Sequence, residues 1–270
     1  MKIGFLITAR LKSTRLPFKI IKDLDGKTVI ERIIDRVKQI KDISEVVLCT
    51  STNPEDRGLV DIARENDIYY FNGDEEDVLQ RLLDAAKFFT MDYFLGITAD
   101  NPLMTIHYSN LIVDEIKRDY YDFVKLEGLP LGAATYGMNV KALETVCKIK
   151  SMVDTEIWGY LIDRPEIFDV KTTKVEGKLN RPELRFTLDY EEDYELINNI
   201  YSNVLFREVL NLYDVIDYLD RNPEIAKINE NCVQWDLDEK AKKEIDRNYK
   251  ENSKEIKKIK NRIYSKEGRT

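Results

Sequence analysis

Four cations and two hydroxyls stand within ten residues near the amino end: Arg10, Lys12, Ser13, Thr14, Arg15 and Lys19. A polyphosphate leaves water only where several charge-assisted hydrogen bonds replace its hydration, and a loop of this composition can supply them. On composition alone, it is equally a solvated basic loop. Two acidic positions share a second pattern. The apolar run Tyr93 to Thr98 leads into Asp100, just before Pro102, and Glu183 to Leu188 leads into Asp189, with Glu191, Glu192 and Asp193 behind it. A lone Asp after a strand is commonly a turn former or helix cap, so neither is informative by itself.

The elements that must position these residues follow from apolar spacing. Lys2 to Thr8 is a short Ile, Phe and Leu run that suits a buried parallel strand, and open α/β sheets place ligands at the carboxyl ends of such strands. The basic loop begins there. Lys27 to Ile40 carries Val29, Ile30, Ile33, Ile34, Val37 and Ile40 at helical spacing, with Glu31, Arg32, Asp35 and Lys38 facing outward. Glu45 to Thr50 is the next strand, Ser51 to Pro54 a turn, and Leu59, Ile62 and Ala63 mark a helix. Ile68 to Phe71 is a strand, and Gly73 to Arg81 opens a helix with acids in its first turn. The strand ending at Asp100 is the fourth. Strands at Tyr120 to Ala134 and Thr135 to Asn139 flank a turn at Leu129 to Gly132, and Lys141 to Val146 is a short helix. A strand over Glu183 to Leu188 and an acidic helix over Glu191 to Ile197 follow. The whole is a three-layer α/β/α arrangement with a mostly parallel sheet.

Arg10, Ser13, Thr14, Arg15, Leu16, Pro17 and Lys19, followed by Leu24, Gly26, Lys27, Ile30, Glu31 and Arg36, resemble the signature of the cytidylyltransferases that activate acidic sugars. These include the 3-deoxy-manno-octulosonate enzyme and, with a closer likeness, the spore coat polysaccharide biosynthesis protein F-like branch. Asp77, Val78, Leu79 and Arg81 resemble a segment of that branch in particular. The segments around Asp100 and Asp189 resemble the family's two metal-binding segments. The resemblance covers about residues 1 to 200. It implies a nucleotide-diphospho-sugar transferase fold of glycosyltransferase A type, with Mg2+ held by Asp100 and Asp189. Two protein carboxylates fit an ion that keeps waters and takes phosphate oxygens as its other ligands. The resemblance also implies catalytic roles for Arg10, Arg15 and Lys19 on the triphosphate, and a nucleotide site drawn from Leu6, Thr8, Ala9, Arg10, Ser13, Arg15, Lys19, Lys27, Ser51, Thr52, Arg81 and Thr98. Structural roles compete at three of these: Ser51 and Thr52 can cap the following helix, and Arg81 can pair with Asp77 one turn away.

The implied reaction moves CMP from CTP to an acidic sugar, phosphate or phosphonate acceptor and releases pyrophosphate, within surface polysaccharide or glycoconjugate precursor synthesis. Several positions depart from the family. Phe18 replaces a usual Gly, restricting the backbone beside the phosphates. Asn101 stands where Cys is common, and Thr98 where the octulosonate enzymes keep Gln for the base. Between residues 120 and 182, the presumed acceptor and dimerisation insertion, only Glu156 remains of a Glu-His pair. A GTP- or UTP-dependent sugar-phosphate nucleotidyltransferase therefore stays open, as does a non-catalytic nucleotide-binding protein. Retention of both Asp100 and Asp189 speaks against the last.

Over 270 residues, 34% charged and 43% hydrophobic, the composition is that of a soluble globular protein. A net charge of −8 offers no basic footprint for nucleic acid, and no apolar stretch approaches the ~20 residues that span a bilayer. The cytoplasm is the expected compartment, a homodimer an expected assembly. Cys49, Cys147 and Cys232 lack ligand-like spacing, Cys49 reading as a core residue, and His107 is the only histidine. Trp158 and Tyr160 suit a packing or dimer surface as well as a substrate platform. The chain divides into a nucleotidyltransferase domain at 1–203 and a helical extension at 204–270, whose charged end beyond Asp236 reads as an exposed helix with a frayed terminus.

Overall fold

The computed structural model of the chain describes residues 1–265. Its strands are β1 (Ile3–Thr8), β2 (Asp23–Leu24), β3 (Lys27–Thr28), β4 (Val46–Ser51), β5 (Tyr69–Gly73), β6 (Tyr93–Thr98), β7 (Phe123–Glu127), β8 (Tyr136–Asn139) and β9 (Val170–Lys174). The short β2 and β3 pair with each other, and the other seven form one sheet in the order β5-β4-β1-β6-β8-β7-β9. Only β8 runs against its neighbours. The strand order reverses beside β1, so the carboxyl ends of β1 and β6, paired at Thr8 and Thr98, open onto one crevice.

Alternate residues of the central strands β1, β4 and β6 enter two apolar layers. On one face Phe5, Ile7, Leu48, Leu95 and Ile97 meet α1 (Val29–Val37), α2 (Arg57–Glu65) and α4 (Ile106–Asp119), while α3 (Val78–Phe88) lies on the opposite face. On the other, Leu6, Val47, Cys49 and Phe94 meet α3 and α5 (Val140–Ile149). Helix α1 starts where it does because Thr28 and Glu31 form a reciprocal capping box.

The later helices complete both layers: α6 (Gly159–Ile162), α7 (Glu191–Asn203), α8 (Leu212–Arg221), α9 (Pro223–Ala226), α10 (Glu239–Glu251) and α11 (Ser253–Tyr264). Leu212, Val215, Ile216 and Leu219 of α8 lie in the first layer. Ile245, Tyr249 and Ile256 lie in the second. The charged end is therefore two packed helices rather than an exposed one. Asp122 anchors it further, accepting from Lys260 and Tyr264. The frayed terminus expected past residue 265 lies outside the described residues.

Other expectations are corrected. Arg32 turns inward, donating to the carbonyls of Leu24 and Asp25 and lying over the rings of Tyr201 and Phe206. Glu183 to Leu188 is not a sheet strand: it is extended chain with one bridge, Leu131 to Arg185. The acids at 74 to 77 form a turn ahead of α3, with Asp77 as N-cap, rather than a first helical turn. Helix α4 and strand β9 are further elements. Trp158 packs edge-on against Tyr136 and Phe123 inside the second layer, and Tyr160 donates to Asp246 of α10. No helix among the described residues is long and apolar enough to cross a membrane.

Candidate active site

The basic loop leaves β1 and folds back across the crevice so that Lys19 reaches both acidic positions. Its ammonium donates to Asp100 Oδ2 at 2.6 Å, to the carbonyl of Leu188 at 2.7 Å and to Asp189 Oδ1 at 2.8 Å. Arg15 Nη2 donates to the same Asp189 oxygen at 2.8 Å. Two carboxylates 89 positions apart in sequence thus share one cation position with a main-chain oxygen. Burial by itself would pull the Lys19 ammonium down, but Asp100 and Asp189 outweigh it and hold the group above its ordinary value. Burial likewise would raise the Asp189 carboxyl. Lys19, Arg15 and Arg185 together hold it below the usual carboxylate range.

Each carboxylate is fixed by its own surroundings. Thr98 Oγ1 donates to Asp100 Oδ1 at 2.6 Å, and Asn101 Nδ2 reaches the same oxygen at 2.9 Å. Asp189 receives Arg185 Nη2 on its second oxygen at 3.0 Å. Behind it, fully buried Asp193 accepts from the N–H groups of Asp189 and Tyr190, from Arg185 and from Asn229. The two acidic segments are joined directly by the Leu188 N–H, which donates to the carbonyl of Asp100 at 2.9 Å. Gly132 fits between them in the left-handed region, φ +89°; a Cβ there would lie 2.6 Å from Asn101 Oδ1 and 2.6 Å from the Thr187 nitrogen.

The loop turns at Phe18. Its backbone adopts φ 56°, ψ 23°, the left-handed conformation a Gly would take without strain, and the ring is turned out to solvent. The turn that delivers Lys19 is kept in spite of the side chain. Leu11 N–H is tied to Asp56 Oδ1 at 2.7 Å, and Ser51 Oγ donates to Asp56 Oδ2 at 2.5 Å. Asp56 therefore fastens the basic loop to the end of β4.

The remaining candidates are distributed around this cluster. Arg10 pairs with Glu156 at 2.6 Å, joining the loop to the insertion. Ser13 Oγ accepts from Leu16 N within the loop. Thr8 and Ala9 lie at the end of β1, Ala9 bonded to the Cys49 carbonyl. Leu6 is fully buried in the second apolar layer. Ser51 is buried and also accepts from Asn53 N, while Thr52 N donates to the Gly73 carbonyl. Lys27 pairs with Asp35 at 2.7 Å beside α1. Arg81 is fully buried, with Nη1 on the carbonyls of Asp74 and Glu75 and with Nε and Nη2 lacking any protein partner. The alternative pairing with Asp77 does not form: Asp77 caps α3 at Gln80 N and pairs with Lys150. His107 packs edge-on against Tyr108, and burial pushes the Cys49 thiol up to about 12.

Among the described residues no three His, Cys, Asp or Glu side chains gather into a metal-binding group. Asp100 and Asp189 are the residues that could hold a divalent ion, the rest of its shell coming from solvent and substrate, the economy magnesium prefers.

The sequence profile of the cytidylyltransferase family matches residues 5–215. An uncharacterised protein of Methanocaldococcus jannaschii is 30% identical over 236 residues, 87% of this chain and 97% of that protein. The spore coat polysaccharide biosynthesis protein SpsF of Bacillus subtilis is 26% identical over 231 residues, 83% of this chain and 96% of the relative. A cytidylyltransferase structure from Leptospira borgpetersenii superposes with a TM-score of 0.78 at 28% identity, covering 87% of this chain and 100% of the other. A CMP:2-keto-3-deoxy-manno-octonic acid synthetase solved with CTP shares the fold, with a TM-score of 0.62 at 15% identity over 76% of this chain and 100% of that one.

Proposed function

This chain belongs to the cytidylyltransferase family, and from that premise we propose that it transfers CMP from CTP to an acidic sugar, phosphate or phosphonate acceptor and releases pyrophosphate. One observation carries the reading: Arg15 and Lys19 meet Asp100 and Asp189 around a single cation position at the carboxyl edge of the sheet.

An acceptor oxygen attacks the α-phosphorus in line, the new P–O bond forming as the bond to the pyrophosphate oxygen breaks; a hydroxyl acceptor gives its proton to solvent. Such displacement depends on positioning and charge neutralisation more than on covalent help. Arg10, Arg15 and Lys19 bind the phosphates and meet the charge that gathers on the leaving pyrophosphate. Asp100 and Asp189 would hold magnesium, which supplies further neutralisation of phosphate charge when bound. The two unpartnered nitrogens of Arg81 offer donors to the nucleoside half. The SpsF relative supports a place in polysaccharide precursor synthesis.

The test is phosphate release through added pyrophosphatase, with CTP, UTP, GTP or ATP, MgCl2, and a panel of sugar acids, sugar phosphates and phosphonates. CTP alone is expected to give turnover, lowered on the order of a hundredfold or more in Asp100→Ala and Asp189→Ala. Turnover with GTP or UTP and none with CTP would overturn the choice of nucleotide.

A further inference from the structure

Three successive residues beyond the stretch matched by the family profile reach back onto the site. The irregular segment between α9 and α10 is anchored by Asn229, whose Nδ2 donates to the Arg185 carbonyl at 3.0 Å and to Asp193 Oδ1 at 2.8 Å. From there Val233 offers its carbonyl to Tyr190 Oη at 3.2 Å, and Gln234 Oε1 accepts from Arg185 Nη1 at 2.7 Å. Trp235 then lies over Arg15, ring centre 5.2 Å from the guanidinium carbon. The Tyr190 ring stands 5.4 Å from the same carbon. Arg15 is thus in contact with two aromatic rings while Nη2 is bonded to Asp189. Its other terminal nitrogen, Nη1, is shut away from solvent and has no protein partner.

A guanidinium in contact with aromatic rings gains cation–π attraction and loses freedom to rotate. An N–H group enclosed without an acceptor is costly unless a ligand oxygen meets it. Trp235 itself is 64% exposed, an unusual position for a Trp whose contribution would be packing alone.

We propose that Trp235 is a positioning residue: with Tyr190 it clamps Arg15 so that Nη1 is presented to a phosphate oxygen of the nucleotide, making the 233–235 segment part of the phosphate site. This rests on the nucleotide-binding reading above, but not on the choice of base. The clamp gives one role to three consecutive residues that meet Tyr190, Arg185 and Arg15.

The test is a double-mutant cycle on ligand binding, read by calorimetry with CTP, UTP, GTP and inorganic tripolyphosphate, each with MgCl2. Trp235→Ala is expected to weaken the triphosphate that the wild-type chain binds by about tenfold. Trp235→Phe should restore most of that loss, and Trp235→Ala should cost nothing further once Arg15→Ala is present. Wild-type affinity in Trp235→Ala, or an equal loss with and without Arg15, would overturn the clamp. Binding of tripolyphosphate or another nucleotide but not CTP would defeat the CTP reading while leaving the cycle measurable. Binding of none of the four would defeat both.

Discussion

Asp193 supports Asp189 from behind, its Oδ2 accepting the main-chain N–H of Asp189 at 2.9 Å. The same side chain takes the Tyr190 N–H, Arg185 and Asn229, so it neutralises a buried guanidinium and fixes the first turn of α7 at once. Asp193→Ala would leave Arg185 with a lost partner and two enclosed N–H groups unpaired. The expected cost is about 3–5 kcal/mol, read from urea unfolding, with Asp193→Asn closer to wild type because it still accepts. A loss below about 1 kcal/mol would mean the network carries little.

Lys19 bridges the two carboxylates proposed to hold a divalent ion. Without its ammonium, Asp100 loses its ion-pair partner while Asp189 keeps only Arg15 and Arg185, and a cation between the two carboxylates becomes more valuable to the folded state. Lys19→Ala is therefore expected to unfold at a lower temperature than wild type without magnesium, and to gain about 3 °C more than wild type on adding MgCl2. Equal magnesium shifts in the two proteins would separate the ion from this site.

The Asp189 carboxyl titrates below its ordinary value of 3.8 because Lys19, Arg15 and Arg185 overcome its burial. Its contribution to stability is present above that ordinary value and is lost as pH falls through the lower folded one. Unfolding free energies at pH 5, 4 and 3 should show the gap between wild type and Asp189→Asn narrowing with acid. Lys19, raised above 10.5, acts in the opposite direction: its contribution is present below that value and fades as pH rises through the folded one. A gap that stays constant down to pH 3 would contradict the coupling at Asp189.

Phe18 holds a left-handed backbone with its ring in solvent. Phe18→Gly removes the Cβ clash but admits more unfolded conformations, so the net expected gain is at most about 1 kcal/mol. Thermal unfolding of the variant measures it. A loss of stability would show that the ring contributes contacts worth more than the strain.

Much of the sheet was legible because buried parallel strands read as short apolar runs, as at Ile3 to Thr8 and Val46 to Ser51. Leu184, Phe186 and Leu188 alternate in the same way and mimic a strand, yet the intervening Arg185, Thr187 and Asp189 are also buried, so the period reflects a crowded extended segment instead. Arg32 reads as an outward charge on helical spacing, since nothing local reveals that main-chain oxygens and two aromatic rings await it inside. In the charged end, Ile245, Tyr249 and Ile256 form a stripe too sparse to stand out among lysines and glutamates. Asp100 and Asp189 could be singled out from their place after apolar runs. Asp56 and Trp235 could not, because Leu11 and Arg15, which they meet in the site, lie 45 and 220 residues away and no local spacing encodes such a meeting; Arg185 meets Asp189 and Asp193 nearby, but its contact with Gln234 spans 49 residues.

Gly132 sets a tolerance for the whole site. Its bare Cα is the spacer between the turn that bears one acid and the stretch that bears the other, so any side chain there must wedge Asn101 away from Thr187. A substitution at this one position therefore disturbs both acidic segments together.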